Sequence, residues 1–368
     1  MVEIKEKDFE SFFRTPFEVY PKDFPFVSQL KSDLKRFLSM ENPLFRTEKD
    51  FSYFTAFKDG KLAGRILTHI HHASNEKYNW NRSYYGFFDC IDDVEVARAL
   101  LEKAEAFGKS HGCNEVIGNF NMTAMQMIGV VKKIHKNYHY TDQVFAPVYI
   151  SNLLEKCGYQ ETFPMVTHEV NVEAFNPETL LGPKQKEIMN NPAYTFEKLK
   201  GDNLDHVMEA MRQCLNHGFS ENPMFVPLTK EEIYFQAKDM MMIIDKETSV
   251  IANYEGKPVG VLICIPNLNP FLKGIKSKFG ITTPWHFLLH KLRRESATII
   301  FYSVYKEFQS RGLNGVMLYD IMSALKRRGY KRFGGTWISL DNHASLRQAD
   351  KLNAEVMHEL CLYRKSLV

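Results

Sequence analysis

The chain has 368 residues, with 44% hydrophobic and 25% charged side chains, which is the composition of a globular protein long enough for two domains. Its formal net charge of +3 is too small for a dedicated nucleic-acid-binding protein, so no nucleic-acid partner is expected. Six scattered Cys residues, an N-terminus without an apolar core and the lack of a long apolar run predict a cytoplasmic protein with reduced thiols and no spanning helix.

The N-terminal part of the sequence predicts a short helix followed by a β-hairpin. Residues 17–29 are rich in aromatic residues and Pro, and they predict an extended segment. Residues 30–40 follow with the apolar spacing of an amphipathic helix. Residues 53–72 then predict two strands joined by a tight turn at Asp59-Gly60.

The next predicted strand, residues 84–88, leads through three carboxylates into a helix at residues 94–109. These carboxylates belong to Asp89, Asp92 and Asp93. Acidic residues stabilise a helix N-terminus, and Asp92 and Asp93 could serve simply as caps. Their charges would repel a phosphate group at the same place.

The hairpin pattern recurs in the second half of the chain. Residues 250–266 again contain an acidic residue, Gly and Lys in the turn, and Glu255 lies 196 residues after Asp59. A second landmark, the helical segment at 149–161, recurs at 343–357 with an offset of 195 residues. Two landmarks with nearly the same offset indicate a duplicated domain.

We therefore divide the chain into a first half at 1–175, a linker at 176–192 and a second half at 193–368. The linker region contains Pro177, Pro183 and Pro192, which is typical of a connecting segment.

An insertion at 266–296 mixes aromatic and aliphatic side chains with Lys and Arg. Such a segment can contact a membrane surface or cover an apolar substrate. The alternative is a helical hairpin packed on the sheet, with its basic face in water.

The segment from Ala297 to Leu318 combines a buried strand, a polar loop with Gly and a helical pattern. The N–H groups of such a loop and of the first helical turn can hold a phosphate, and the helix dipole favours negative charge. Arg311 adds a positive charge, and Gly312 allows the backbone to approach a ligand closely. An ordinary strand-to-helix turn is the alternative.

The spacing Val-x-x-x-x-Gln-x-Arg-Gly-x-x-Gly at 304–315 resembles the pyrophosphate loop of the GNAT superfamily of N-acetyltransferases. Lys306 and Asn314 stand where that pattern usually has Pro and a second Gly. Segments 118–131 and 267–280 are similar to those of bacterial proteins with two GNAT domains.

The resemblance implies an α/β (α+β) GNAT fold, with two tandem acyl-CoA N-acyltransferase-like domains, each a mixed twisted sheet flanked by helices. It implies an acetyl-CoA or longer acyl-CoA substrate bound by the second half, while the acidic loop of the first half indicates a degenerate site. The residues that it implies for coenzyme A binding are Val304, Gln309, Ser310, Arg311, Gly312, Leu313, Asn314, Gly315, Asn342 and Ser345.

The candidate acids and bases beside this loop are Tyr302, Tyr305, Glu307 and Asp341. From the first half, residues 138–140 could also line an acceptor site. Many GNAT enzymes protonate the leaving thiolate with a Tyr where this chain has Ala349, so the proton donor stays open.

No metal is expected in this protein. His69 and His71 lie on one face of a predicted strand, but no carboxylate or Cys partner follows at ligand spacing.

The main hypothesis is an acyl-CoA-dependent N-acyltransferase acting on a small-molecule or lipid-like primary amine. A long acyl chain is one variant of it. The alternatives are an aminoacyl-tRNA-dependent peptidyl transferase with tandem GNAT-like halves, and a non-catalytic acyl-CoA-binding or sensor protein. The oligomeric state stays open.

Overall fold

The computed structural model describes residues 1–199, 204–237 and 243–368. Fourteen strands form one continuous mixed sheet, flanked by helices. The strands are β1 (Val2–Glu6), β2 (Phe51–Lys58), β3 (Lys61–His69), β4 (Arg82–Cys90), β5 (Glu115–Gly118), β6 (Val130–Ile134), β7 (Gln160–Asn171), β8 (Tyr194–Lys198), β9 (Val250–Tyr254), β10 (Lys257–Pro266), β11 (Ser296–Val304), β12 (Arg332–Gly334), β13 (Ile338–Ser339) and β14 (Glu355–Ser366).

Twelve α-helices lie in the described residues. They are α1 (Phe9–Val19), α2 (Lys31–Phe37), α3 (His72–Tyr78), α4 (Val94–Ser110), α5 (Tyr149–Lys156), α6 (Pro183–Asn190), α7 (Leu204–Gly218), α8 (Lys230–Ala237), α9 (Asn269–Gly274), α10 (Thr283–Arg293), α11 (Leu313–Arg327) and α12 (His343–Lys351).

Each half of the sheet is covered on both faces because apolar residues occupy successive strand positions. On β2, Tyr53 packs with Phe12 of α1, while the next residue, Phe54, packs with the cluster that contains Leu100 of α4. On β10, Val261 packs with the cluster that contains residues of α7, and the next residue, Leu262, packs with the cluster that contains residues of α11. Side chains of a strand alternate between faces, so each half has two separate cores.

The duplication is visible in the structure. Both hairpins, β2–β3 and β9–β10, turn through two residues with positive φ, Asp59-Gly60 in the first and Glu255-Gly256 in the second. This is the backbone of a two-residue hairpin turn that matches the twist of the strands. The predicted hairpins are therefore confirmed.

The two halves exchange their last long strands. β7 of the first half lies between β14 and β12, and β14 of the second half lies between β5 and β7. Each half of the sheet is thus completed by a strand from the other half.

Two segments differ from the sequence-based predictions. The segment at 17–29 is extended only in part, because α1 continues through residue 19. The predicted linker carries a short 3₁₀ helix, Pro177–Leu180, and the helix α6, whose Ile188 is buried in the core beneath α11. The region between the halves is therefore packed structure.

Candidate active site

A cavity of the second half opens where β11 and β12 diverge. Their ladder covers only the positions from Ser296–Arg332 to Thr298–Gly334. A bulge then leaves Ile300 without an opposite residue on β10. Beyond this point, no described strand pairs with β11 on the side of β12, and residues 299–302 of β11 line the cavity.

The cavity has a volume of about 200 Å³ and walls from both halves. Its lining is mostly apolar and aromatic on the strands, with polar groups from one face of α12 and from the first half. The second half contributes Phe219, Asn222, Pro223, Phe225, Ile299, Ile300, Phe301, Tyr302, Leu318, Phe333, Gly334, Gly335, Thr336, Trp337, Ile338, Ser339, Asn342, Ser345, Gln348, Ala349, Leu352 and Ala354; the first half contributes Ala124, Met125, Gln126, Asp142, His168 and Val170.

The predicted phosphate loop leads directly into α11. Gly312 has a φ of +111° and precedes the first residue of the helix, and no described side chain caps this N-terminus. The N–H of Gly315 donates to the carbonyl of Gly312 at 3.0 Å, so the first two N–H groups of the helix, those of Leu313 and Asn314, are the ones that could meet an anion. Ser310 and Arg311 are exposed beside them.

Gln309 and the two glycines also have packing roles. The side-chain amide of Gln309 donates to the carbonyl of Val304 at 2.8 Å, which closes the loop. A Cβ at Gly315 would come within 2.9 Å of Nε2 of Gln185 on α6, and one at Gly312 within 3.2 Å of Cβ of Lys184. The close approach of α6 thus explains why small residues occupy these positions.

Val304, Leu313 and Asn314 lie behind the loop. Val304 and Leu313 are buried in the core with α11 and do not line the cavity. The backbone carbonyl of Asn314 accepts a hydrogen bond of 3.2 Å from the hydroxyl of Tyr302. The residues of β11 that line the cavity are 299–302, which precede Val304 by two to five positions in the strand.

Helix α12 presents a polar face to the cavity. The side chain of Asn342 caps the helix by accepting a hydrogen bond of 3.1 Å from the N–H of Ser345. Asn342, Ser345 and Ala349 all line the cavity, as their helical spacing requires. Their part in cofactor binding stays a prediction. The small side chain of Ala349 leaves space open in the wall.

Of the four predicted acid–base candidates, only Tyr302 lines the cavity. Burial raises the pKa of Tyr302, so its hydroxyl remains protonated. Tyr305 instead stacks on His217 with ring centroids 4.2 Å apart. Glu307 and Asp341 are exposed and lie outside the cavity lining. The positions of these three residues do not support direct contact with a substrate held there.

The cavity contains two titratable groups that sequence reasoning missed, Asp142 and His168. Burial raises the pKa of the Asp142 carboxyl to about 7, although part of its surface still reaches the cavity. Burial lowers the pKa of His168, and its Nδ1 has no hydrogen-bond partner among the described residues. Asp142 can therefore accept a proton near neutral pH, while the lowered pKa keeps the imidazole of His168 neutral there.

The neighbouring segment 138–140 does not line the cavity. The hydroxyls of Tyr138 and Tyr140 both donate to the buried carboxylate of Glu169. The strand exchange brings His168 of β7 to the second half, and no local sequence signal marks this arrangement.

The corresponding region of the first half is largely filled. Arg65 and Asp89 form a buried ion pair at 2.6 Å, and Tyr20 donates to the same carboxylate. Phe24 stacks on Phe145 at 4.9 Å, and a cavity of about 60 Å³ remains.

Two predicted features of the first half can be located in this arrangement. Asp93 caps α4 by accepting from two backbone N–H groups, as the capping interpretation predicts. His69 and His71 are buried, with His69 stacked on Tyr84. Within the described ranges, no three His, Cys, Asp or Glu side chains come together as a metal site.

A duplicated mixed sheet, diverging central strands and a helix N-terminus after a Gly loop are the features that the resemblance to tandem GNAT proteins predicts. Residues 205–353 match the model of the acetyltransferase (GNAT) family. A tandem GNAT protein from the clavulanic acid biosynthesis pathway has the same fold over 100% of this chain and 99% of its own, with a TM-score of 0.61 and 11% identity. Residues 205–353 thus match the GNAT family model, and the whole chain has the fold of a tandem GNAT protein.

Two curated proteins are similar over nearly the whole chain. Protein YghO of Escherichia coli is 23% identical over 99% of this chain and 94% of its own length. The bacterial ceramide synthase of Caulobacter vibrioides is 22% identical over 98% of this chain and 95% of its own. Among the described residues, no helix has the length and apolar character needed to cross a bilayer.

Proposed function

We propose that this protein is an N-acyltransferase that moves an acyl group from a coenzyme A thioester to a primary amine. The observation that carries the proposal is the cavity between β11 and β12, which combines an open strand edge with enclosed titratable groups. Its apolar strand walls suit an acyl chain, and its polar α12 face suits amide groups.

The residues present fit a coenzyme A thioester. The uncapped N-terminus of α11 and the exposed Arg311 would hold its pyrophosphate. The cavity-facing backbone of residues 299–302 would donate a hydrogen bond to the carbonyl oxygen, and Asn342 and Ser345 would border the pantetheine. The bound thioester supplies the activated carbonyl carbon. Orientation of the amine against that carbon is the main contribution of the protein.

Asp142 is the group we assign to proton removal. The amine must lose a proton as its nitrogen bonds to the carbonyl carbon and the bond to sulfur breaks. A carboxylate with a pKa of about 7 is half ionised near neutral pH and can accept that proton directly or through water. His168 is the second candidate because it lines the same cavity and its Nδ1 has no hydrogen-bond partner among the described residues.

A long-chain amine is the acceptor class that we favour. One similar protein is named a ceramide synthase, and a ceramide is an N-acylated long-chain amine. The aromatic and aliphatic wall of the cavity, which includes Phe219, Phe225 and Trp337, supports an apolar ligand.

Calorimetric titration with acetyl-CoA and palmitoyl-CoA tests the proposal. Arg311→Glu places a like charge against the pyrophosphate and should weaken binding by about tenfold or more. Arg98→Glu, an exposed site of the first half with the same change in net charge, should bind as the wild type. If the wild type binds neither thioester, the cofactor assignment fails, and a tRNA-dependent or non-catalytic protein becomes the better hypothesis.

A further inference from the structure

Exposed apolar side chains concentrate in one short segment, residues 279–292. Of the thirteen large apolar side chains that are exposed in the described residues, six lie here: Phe279, Ile281, Trp285, Phe287, Leu288 and Leu292. Single exposed apolar residues are common on soluble proteins, whereas a contiguous group indicates a contact surface. We call these six side chains, together with the cations Lys291 and Arg293 beside Leu292, the basic apolar patch.

Four of the six side chains lie on α10, a helix without a single buried residue, and Phe279 and Ile281 precede it. Trp285, Leu288 and Leu292 follow the i, i+3, i+7 spacing of one helical stripe, and Trp285 is 60% and Leu292 74% exposed. Lys291 and Arg293 lie about 100° to either side of Leu292 around the helix axis. Cations at both edges of an apolar stripe are placed for the headgroup level of a lipid surface.

The charge of the segment is opposite to that of the rest of the chain. Residues 266–294 contain six Lys and Arg residues and no Asp or Glu. Since the whole chain has a net charge of +3, the remaining 339 residues carry a net charge of −3. Of the six cations, Arg294 forms an ion pair with Asp245. No ion-pair partner is found among the described residues for four others, Lys273, Lys276, Lys291 and Arg293.

The patch is held on a fixed base. Phe271, Leu272 and Ile275 of the α9 region are buried against Val27 and Leu30 of the first half. The hydroxyl of Thr141 accepts a hydrogen bond of 2.7 Å from the N–H of Leu268, and the N–H of Thr141 donates to the side chain of Asn267. The patch is thereby tied to the residue that precedes Asp142 of the cavity wall.

We propose that the basic apolar patch docks the protein on an anionic lipid bilayer. A second copy fits poorly, because a two-fold contact would bring the same cations face to face. An anionic bilayer matches both the cations and the apolar stripe. The inference does not depend on acyl transfer, and its test requires neither a thioester nor an amine.

Flotation with lipid vesicles tests the proposal. The full chain should float with vesicles of equal parts phosphatidylglycerol and phosphatidylcholine, and not with pure phosphatidylcholine, and binding should weaken as salt increases. The double variant Leu288→Glu/Leu292→Glu should lower vesicle binding by about tenfold or more. The control Met189→Glu/Val356→Glu changes two exposed apolar residues outside the patch and should bind as the wild type.

Tryptophan fluorescence provides a second readout. The emission of Trp285 should shift to the blue on anionic vesicles and be quenched by brominated lipid, and Trp285→Phe should remove that response. Equal vesicle binding of the double variant and the wild type would overturn the proposal, as would a wild type that does not float. A wild-type dimer that the same double variant converts to monomer, without vesicle binding, would identify a protein interface instead.

Discussion

The assignment of Asp142 as the base makes the pH dependence of the reaction predictable. With a pKa of about 7, the carboxyl is mostly ionised at pH 8 and about one-tenth ionised at pH 6. Asp142→Asn keeps the size of the side chain and cannot accept a proton. We expect kcat/KM at pH 8 to fall by about 100-fold, which is the ordinary contribution of a general base.

The amine acceptor also titrates, so the useful quantity is the ratio of wild-type to variant kcat/KM at each pH. The titration of the amine cancels in this ratio. If Asp142 is the base, the ratio falls by about tenfold from pH 8 to pH 6. Asp341→Asn, a change at the exposed candidate outside the cavity, should give a ratio close to one throughout.

As the pH rises, ionisation of the Asp142 carboxyl should lower the stability of the fold while it raises the reaction rate. Its folded pKa lies above the ordinary value of 3.8, so its stabilising effect is complete below that value and is lost as the pH rises to about 7. Between pH 5 and 7 this loss would reach about 2.3 kcal/mol for a fully enclosed group. Because Asp142 is partly accessible, we expect Asp142→Asn to gain about 1–2 kcal/mol relative to the wild type over this range in urea unfolding.

These measurements can refute the assignment. An acidic limb that persists at lower pH in Asp142→Asn and disappears in His168→Gln would assign the base to His168, whose pKa is lowered by burial. A pH-independent ratio for Asp142→Asn, with a stability difference that also does not change with pH, would show that the carboxyl has an ordinary pKa.

Two further changes probe the phosphate loop and the cavity wall. Gly312→Ala should destabilise the fold by about 1–2 kcal/mol, because φ is +111° there and α6 leaves little space. Gly280→Ala is the control, since there is open space around Gly280. Equal urea midpoints for the two variants would contradict the reasoning. Ala349→Phe fills part of the cavity, so it should reduce kcat/KM for palmitoyl-CoA about tenfold more than for acetyl-CoA; an equal loss for both would show that the acyl chain lies elsewhere.

Local signals made much of the fold predictable from the sequence. Acidic-Gly-Lys turns fix both hairpins, and the capping box of Thr229 and Glu232 marks the start of α8, with both of its hydrogen bonds formed. Two matching offsets revealed the duplication. The positions of Asn342 and Ser345 could be predicted because Asn342 caps the helix and Ser345 follows it by one helical turn.

The rest depends on contacts between distant parts of the chain. The apolar patterns of β7 and β14 identify strands but not their neighbours, so the exchange could not be predicted. That exchange and the turn after Tyr140 bring His168 and Asp142 to the second half's cavity. Glu307 and Asp341 were selected by sequence proximity to the loop, and their side chains point into solvent.

The exchanged strands also set an order of events during synthesis. β5 of the first half has β14 as its neighbour, and β14 is synthesised long after β5. The N-terminal half must therefore wait, with an open sheet edge, until β14 has left the ribosome. A chain that stops before residue 355 would lack this strand, and the unpaired edges of β5 and β7 would favour aggregation over an independently folded first half.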